Sequence, residues 1–150
     1  MPQLEKDYIQ TGKVKYVIRE YPIESIHKQA FKAAEAARCA GDKGKYWEMH
    51  DKIFANQGAM SPKDLVDHAQ TLGLDVASFQ QCLDSGRYAA KVRKDLGDAN
   101  LAGVRGTPSF FLGLTEPNDS KITAVRSIRG AESFSGFQAI IDSVLGEQKQ

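Results

Sequence analysis

The fold is decided by the stretch from Gly103 to Phe111, which reads G-V-R-G-T-P-S-F-F. Proline has no N–H to donate to a sheet ladder, but it is tolerated at the first residue of a strand. The apolar run from Thr107 to Leu112 therefore predicts a short strand that is entered through the Thr107-Pro108 bond. Since only about 5% of such bonds are cis, the residues alone favour an ordinary trans bond.

The residues after this strand predict a hairpin and a closing helix. Residues 117–120 read P-N-D-S, which is typical of a turn, and the segment from Lys121 to Arg129 returns as the partner strand. Ser133 can then cap a final helix. The apolar stripe of that helix consists of Phe134, Phe137, Ile141 and Val144.

Residues 25–103 have helical periodicity, with stop signals about one helix length apart. Ser61 and Asp75 supply capping side chains for two of the helices in this block. Together the signals predict helices from Ser25 to Ala40, Lys45 to Ala55, Pro62 to Leu72, Val76 to near Gly86, and Tyr88 to Gly103.

Before this block, a short helix from Pro2 to Gln10 is followed by a predicted strand from Lys13 to Glu20. Gly12 can take the left-handed conformation that ends the helix. Residues 14–18 are nearly all apolar, which is typical of a strand covered on both faces. Because strands joined through helices cross over right-handedly into a parallel pair, the order of elements predicts an α/β sandwich.

The composition excludes several classes of partner. A chain of 150 residues fits one compact domain, and its formal net charge of +1 provides no field that would attract nucleic acid or a membrane surface. No apolar run approaches the ~20 residues of a membrane span. The first residues also lack the basic start and apolar core of a signal peptide. As written, the sequence predicts a cytoplasmic protein without nucleic-acid or membrane partners.

Several stretches resemble, in the same order, the DsbA-like family of thioredoxin-fold disulfide oxidoreductases. The stretch from Gly103 to Phe111 is similar to a G-V-x-G-T-P-x-F-F segment that much of the thioredoxin superfamily shares. Y-W-E-M-H-D-K-I-F at residues 46–54 and F-Q-Q-C-L-D-S-G at residues 79–86 are more specific to the DsbA-like branch. Residues 2–14 and 33–40 are similar as well, so the resemblance covers nearly the whole chain.

The resemblance implies an α/β, thioredoxin-like fold with an inserted all-helical subdomain. Residues 1–22 and 104–150 would form the thioredoxin-like part of a single domain, and residues 23–103 would form the helical insert. In that family the proline is cis, and the backbone of the preceding residue pairs with an extended substrate polypeptide. The resemblance thus assigns substrate binding to Thr107 and Pro108, with Arg105 beside them.

The chain departs from the family at its catalytic centre. Family members begin with a strand and a helix opened by C-x-x-C, and residues 2–9 correspond to the later part of that helix. Cys39 and Cys82 lie instead in the helical block, away from a helix N-terminus that would lower the pKa of a nucleophilic thiol. The resemblance implies that they form a second, non-catalytic disulfide, and the alternative is two small buried apolar residues. We expect no catalytic residue, metal site or cofactor.

Three functions are consistent with this pattern. The leading one is a non-catalytic, thioredoxin-fold protein that binds an extended polypeptide. The second is a fragment of an active DsbA-like oxidoreductase whose true start lies upstream, which would be periplasmic if that start carries a signal peptide. The third is a glutathione-dependent isomerase or transferase, because related folds with helical inserts bind glutathione beside a similar proline.

The resemblance places the absent first strand in the centre of the sheet, between the predicted strands at Lys13 to Glu20 and Thr107 to Leu112. Each unpaired backbone group would cost about 1 to 3 kcal/mol if it were buried. The flanking strands can close on one another, exchange segments between chains, or pair with a second copy. We expect a homodimer that shields the exposed edge or the apolar stripe of the final helix.

Overall fold

The computed structural model describes residues 2–115 and 123–147. They form two compact units, one comprising the described residues up to Ile18 and from Val104 onward, the other running from Arg19 to Gly103. We call these the hairpin unit and the helical unit. Among the described residues, no helix has both the length and the apolar character to cross a bilayer.

Most helices of the helical unit begin at or next to the residue that the sequence predicts. Ser61 caps the helix that begins at Pro62, as predicted. The Ser61 N–H donates to the Asp64 carboxylate at 2.9 Å, and the Asp64 N–H donates to the Ser61 hydroxyl at 3.3 Å. Asp75 caps the next helix by accepting from the Ser78 N–H at 2.8 Å. The helices are α2 Ala30–Gly41, α3 Tyr46–Ala55, α4 Pro62–Thr71, α5 Val76–Asp84 and α6 Ala89–Leu101.

The core of the helical unit is built around α2. Its buried alanines, among them Ala36 and Ala40, leave room for the larger side chains of the neighbouring helices. Met49 from α3, Leu65 from α4 and Phe79 from α5 fill that room. The alanine-rich composition therefore allows three helices to approach α2 closely.

The predicted start of α2 at Ser25 is wrong, because residues 24–29 form tight turns and the helix begins at Ala30. The N–H groups of Ile26 and His27 both donate to the carbonyl of Ile23, at 3.2 and 3.0 Å. Ile26 is 68% exposed, so extending the helix backwards would bury no apolar surface that could offset its entropic cost.

The predicted strand from Lys13 to Glu20 is also wrong. Residues 14–23 have no regular structure, and nothing among the described residues pairs with them in a ladder. The side chains of residues 13–18 alternate between exposed and half-buried, and Val17 is 50% exposed. Because β-branched residues favour strands through packing and pairing, the apolar pattern alone does not produce a strand here.

The hairpin unit contains α1 Pro2–Leu4, continued by a π-helical turn Glu5–Ile9, then β1 Ser109–Leu114, β2 Thr123–Arg129 and α7 Phe134–Glu147. The antiparallel strands pair Ser109 with Arg129 and Phe110 with Ile128, and a bulge follows Leu112. The predicted hairpin strands are confirmed in the described residues. The predicted turn at residues 117–120, and Lys121 and Ile122 of the predicted strand, lie outside the described residues.

The apolar stripe of α7 is covered within its own unit. Phe137 and Ile141 are buried in a cluster with Tyr8 and Ile128, and the ring of Phe110 meets Phe137 edge to face at 4.9 Å. The Tyr8 hydroxyl donates to the Asp142 carboxylate at 2.8 Å. The apolar stripe is therefore buried without a second copy of the chain. The expectation of a homodimer then depends only on the edge of β1 that lacks a partner strand among the described residues.

Candidate functional site

The Thr107-Pro108 segment is an exposed corner that leads into β1. Its peptide bond is cis, and both residues are exposed. The carbonyl of Pro108 accepts from the Gly130 N–H at 2.8 Å, just beyond the end of β2. The Ser109 hydroxyl donates to the carbonyl of Gly106 at 2.7 Å. The first bond ties the corner to the end of β2, and the second closes the corner within its own residues.

The opposite side of this corner is open. Among the described residues β1 pairs with β2 alone, so its second edge has no ladder partner. The backbone N–H and C=O of Thr107 form no hydrogen bond within the described chain. Phe111, two residues further along β1 than Ser109, is 48% exposed. An extended polypeptide could therefore add backbone hydrogen bonds here and contact an aromatic side chain.

Two arginines lie near the corner, and the sequence pattern indicates only Arg105. Arg105 is exposed, and its Nη1 donates to the carbonyl of the neighbouring Val104 at 3.2 Å. Arg129 is also exposed and lies opposite Ser109 in the ladder. Because Arg129 follows Pro108 by 21 positions in the sequence, only the strand register brings them together. No local motif around Arg129 could have indicated it.

The structure brings Cys39 and Cys82 together as a disulfide between α2 and α5. The S–S distance is 2.04 Å and the Cα atoms are 6.0 Å apart. The two residues are buried, with 4% and 3% of their surface exposed. Since the sequence contains two cysteines, none is left as a free thiol. The pair lies in the helical unit, whereas Thr107 and Pro108 belong to the hairpin unit.

A buried carboxylate, Asp95 on α6, forms the main polar cluster of the helical unit. Asp95 is fully buried and binds Arg38 at 2.6 Å, Arg19 at 3.1 Å and Lys91 at 3.3 Å. Beside it, Glu20 accepts from the Tyr46 hydroxyl at 2.8 Å and pairs with Arg38 at 3.5 Å.

Burial raises the pKa of both Glu20 and Tyr46 in this cluster. The Tyr46 hydrogen bond and the charge of Arg38 partly oppose the shift at Glu20, whereas the charge of Glu20 adds to the shift at Tyr46. Every carboxylate in the cluster has a cationic or hydroxyl partner. The cluster therefore ties residues 19–20, α2 and α6 together.

The histidines do not assemble a site. The His50 ring packs between Trp47 and Phe54 on α3, and its Nδ1 contacts the Asp51 carboxylate at 3.0 Å. His68 is buried and bonds through Nε2 to the carbonyl of Ala59 at 3.0 Å. The described residues contain no cluster of metal-binding side chains.

Comparison with a solved structure assigns the architecture. The chain matches the crystal structure of alpha-DsbA1 from Wolbachia pipientis with a TM-score of 0.79 and 25% sequence identity, over 97% of this chain and 75% of that chain. The fold is thus thioredoxin-like, mostly helical with a small sheet, and carries a DsbA-like helical insertion. The fold class that the resemblance implies is confirmed.

Sequence comparisons reach the same family. A family model described as Thioredoxin matches residues 1–143. The chain is 38% identical over 123 residues to a Na(+)/H(+) antiporter NhaA 1 from Salinispora arenicola, and 35% identical over 99 residues to a Na(+)/H(+) antiporter NhaA from Herminiimonas arsenicoxydans. These matches cover 82% and 66% of this chain but 19% and 16% of the antiporters. The chain therefore spans less than a fifth of the length of these curated relatives.

Proposed function

Because this chain belongs to the DsbA-like thioredoxin family, we propose that it binds an extended polypeptide along Thr107 and the free edge of β1, without thiol–disulfide chemistry of its own. The observation that carries the proposal is the backbone of Thr107, which forms no hydrogen bond within the described residues and lies beside an edge of β1 that none of those residues pairs with. An exposed N–H and C=O on such an edge can each form a hydrogen bond with an added strand.

The neighbouring side chains support this mode of binding. Phe111 is half-exposed on β1 and can pack against a side chain of the bound polypeptide. The Gly130 N–H donates to the Pro108 carbonyl and fixes the corner, whereas the backbone of Thr107 stays available to a bound polypeptide. The backbone would thus supply affinity that does not depend on sequence, and the side chains would supply preference.

The cysteines support a role without redox turnover. A thiol–disulfide catalyst needs an accessible thiolate, and its reactivity depends on a lowered pKa. Cys39 and Cys82 are bonded to each other and buried in the helical unit. No other sulfur nucleophile is present in the 150 residues.

Replacing Thr107 by proline is expected to weaken the binding of an unfolded, cysteine-alkylated polypeptide about threefold to tenfold. The substitution removes one backbone donor, and a hydrogen bond contributes about 0.5 to 1.5 kcal/mol. Binding is measured by fluorescence anisotropy with a labelled polypeptide. The matched control, Thr107→Ser, keeps the N–H and is expected to bind as the unaltered protein does.

A second measurement does not depend on a variant that folds. Hydrogen exchange at the Thr107 amide is expected to slow when the polypeptide is added, because the N–H becomes bonded. The proposal fails if the polypeptide binds while hydrogen exchange at the Thr107 amide is unchanged.

We also expect the 150-residue protein to oxidise a dithiol peptide no faster than the uncatalysed reaction, because its two sulfurs are buried and paired. The reaction is followed by the loss of peptide thiols under aerobic buffer. The Cys39→Ala and Cys82→Ala double variant serves as the control. Turnover in the unaltered protein that this variant lacks would contradict the proposal and favour the oxidoreductase alternative.

A further inference from the structure

Residues 19–21, which we call the strap, are the first residues of the helical unit and are bound to its helix α6. The Glu20 N–H donates to the Asp95 carboxylate at 3.4 Å. The Tyr21 hydroxyl donates to the side chain of Asn100 at 2.9 Å. Because the strap has no regular secondary structure, its attachment depends on side-chain contacts such as these.

Two carboxylates share one guanidinium group beneath the strap. The Nη2 atom of Arg38 lies 2.6 Å from Asp95, whereas its Nε lies 3.5 Å from Glu20 and forms no hydrogen bond to it. Asp95 has two further cationic partners, Arg19 and Lys91. Glu20 is therefore the less well compensated of the two carboxylates.

The other groups that face Glu20 come from α3. The Tyr46 hydroxyl donates to Oε1 of Glu20 at 2.8 Å, and His50 is close enough for its charge to act on Glu20. The Glu20 side chain is 13% exposed, so little water reaches its carboxylate. A tyrosine hydroxyl can donate to a carboxylate or accept from a protonated carboxyl group. The contact with Tyr46 is therefore compatible with either state of Glu20.

These surroundings favour the protonated form of Glu20. Burial is the largest cause that raises its pKa, and the negative charge of Asp95 adds to the shift. The hydrogen bond from Tyr46 and the charges of Arg38 and His50 oppose it without cancelling it. The folded protein therefore binds a proton at Glu20 more tightly than an unfolded chain does.

We infer that Glu20 is a proton-binding site that attaches the strap more firmly to the helical unit at mildly acidic pH than at neutral pH. Protonation removes the repulsion between the Glu20 and Asp95 carboxylates and leaves Arg38 paired with Asp95. The inference goes beyond the proposed function and does not depend on it, because all of these groups belong to the helical unit.

The sign of the shift defines the pH range. A glutamate with an ordinary pKa of 4.5 is the reference for the unfolded chain. Because the pKa of Glu20 is higher in the folded protein, stability is gained as the pH falls through that value, and the gain is complete near pH 4.5. At lower pH the effect is opposed by Asp64 and Asp75, whose lowered pKa values make them lose stabilising contacts on protonation.

The first test is a titration of the Glu20 side-chain carboxyl carbon by NMR in the unaltered protein, which requires no variant. The midpoint is expected above 4.5, and Tyr46→Phe is expected to move it to still higher pH because the carboxylate loses a hydrogen bond. A midpoint at or below 4.5 in the unaltered protein would overturn the inference.

The second test measures hydrogen exchange at the Glu20 amide, which bonds to Asp95. Its protection factor, corrected for the intrinsic effect of pH, is expected to rise about twofold or more from about pH 7.5 to about pH 5.5. Glu20→Gln should remove this rise, because glutamine does not titrate. Glu48→Gln is the matched control on α3, since Glu48 is exposed and pairs with Lys45, and it should keep the rise.

His50 also changes charge in this pH range and faces Glu20, so it is the competing explanation. The variant His50→Gln separates the two groups and should keep the rise in protection. The inference is overturned if His50→Gln removes the rise while Glu20→Gln keeps it. It is equally overturned if protection of the Glu20 amide in the unaltered protein stays constant or falls on acidification.

Discussion

Replacing Cys39 and Cys82 together by alanine is expected to lower the free energy of unfolding by about 4 kcal/mol. The disulfide spans 43 residues of sequence, and such a cross-link removes loop-closure entropy from the unfolded chain. The loss should be concentrated in the helical unit, because the bond joins α2 to α5 across its core. Urea unfolding followed by circular dichroism measures the change.

Reduction provides the control for this prediction. The unaltered protein treated with excess dithiothreitol should unfold at nearly the same urea concentration as the double alanine variant. Hydrogen exchange should then show faster opening of α2 and α5 in both samples. Equal unfolding midpoints for the oxidised and reduced proteins would show that the disulfide does not stabilise the helical unit.

Replacing Asp95 by asparagine is expected to cost about 3 kcal/mol of unfolding free energy, since the buried Arg38 would keep only the more distant Glu20 carboxylate as its partner. Asp95 is fully buried and neutralises Arg38, whose side chain is itself 19% exposed. Its carboxylate also accepts from the backbone N–H of Glu20 at 3.4 Å. The loss of one charge thus loosens both α2 and the segment at Arg19 and Glu20. Urea unfolding, as for the disulfide, measures the change.

The neighbouring Asp98 supplies a matched control on the same helix. Asp98 pairs with Lys94 at 2.6 Å, but both side chains are at least half-exposed, so Asp98→Asn should leave the unfolding midpoint nearly unchanged. Similar losses for Asp95→Asn and Asp98→Asn would refute the idea that the buried cluster organises the helical unit.

Two expectations from the sequence stay predictions. A homodimer would bring a second copy to the free edge of β1, where it would compete with the proposed polypeptide, so light scattering with and without peptide would test both. The cellular location also stays a prediction. Neither one affects the expected results for Cys39, Cys82 or Asp95, which concern contacts inside the helical unit.

Local signals in the sequence determined most of the helices and the hairpin. Ser61 and Asp75 cap α4 and α5 because a side-chain oxygen within the same turn can bond a free N–H, and this requires no distant partner. The apolar stripe of α7 likewise follows from helical spacing alone. The approach of Cys39 to Cys82 was implied by resemblance to the DsbA-like family, since spacing alone leaves their pairing open.

Tertiary structure alone decided the features that depend on distant partners. Residues 13–20 have the composition of a strand, but a strand needs a neighbouring backbone, and none of the described residues supplies it. The sequence around Asp95 is typical of an acidic residue on a helix surface, and only the folded structure brings three cationic side chains to its carboxylate. Arg129 reaches the Thr107-Pro108 corner solely through the register of β1 with β2, because pairing between strands joins residues that sequence distance keeps apart.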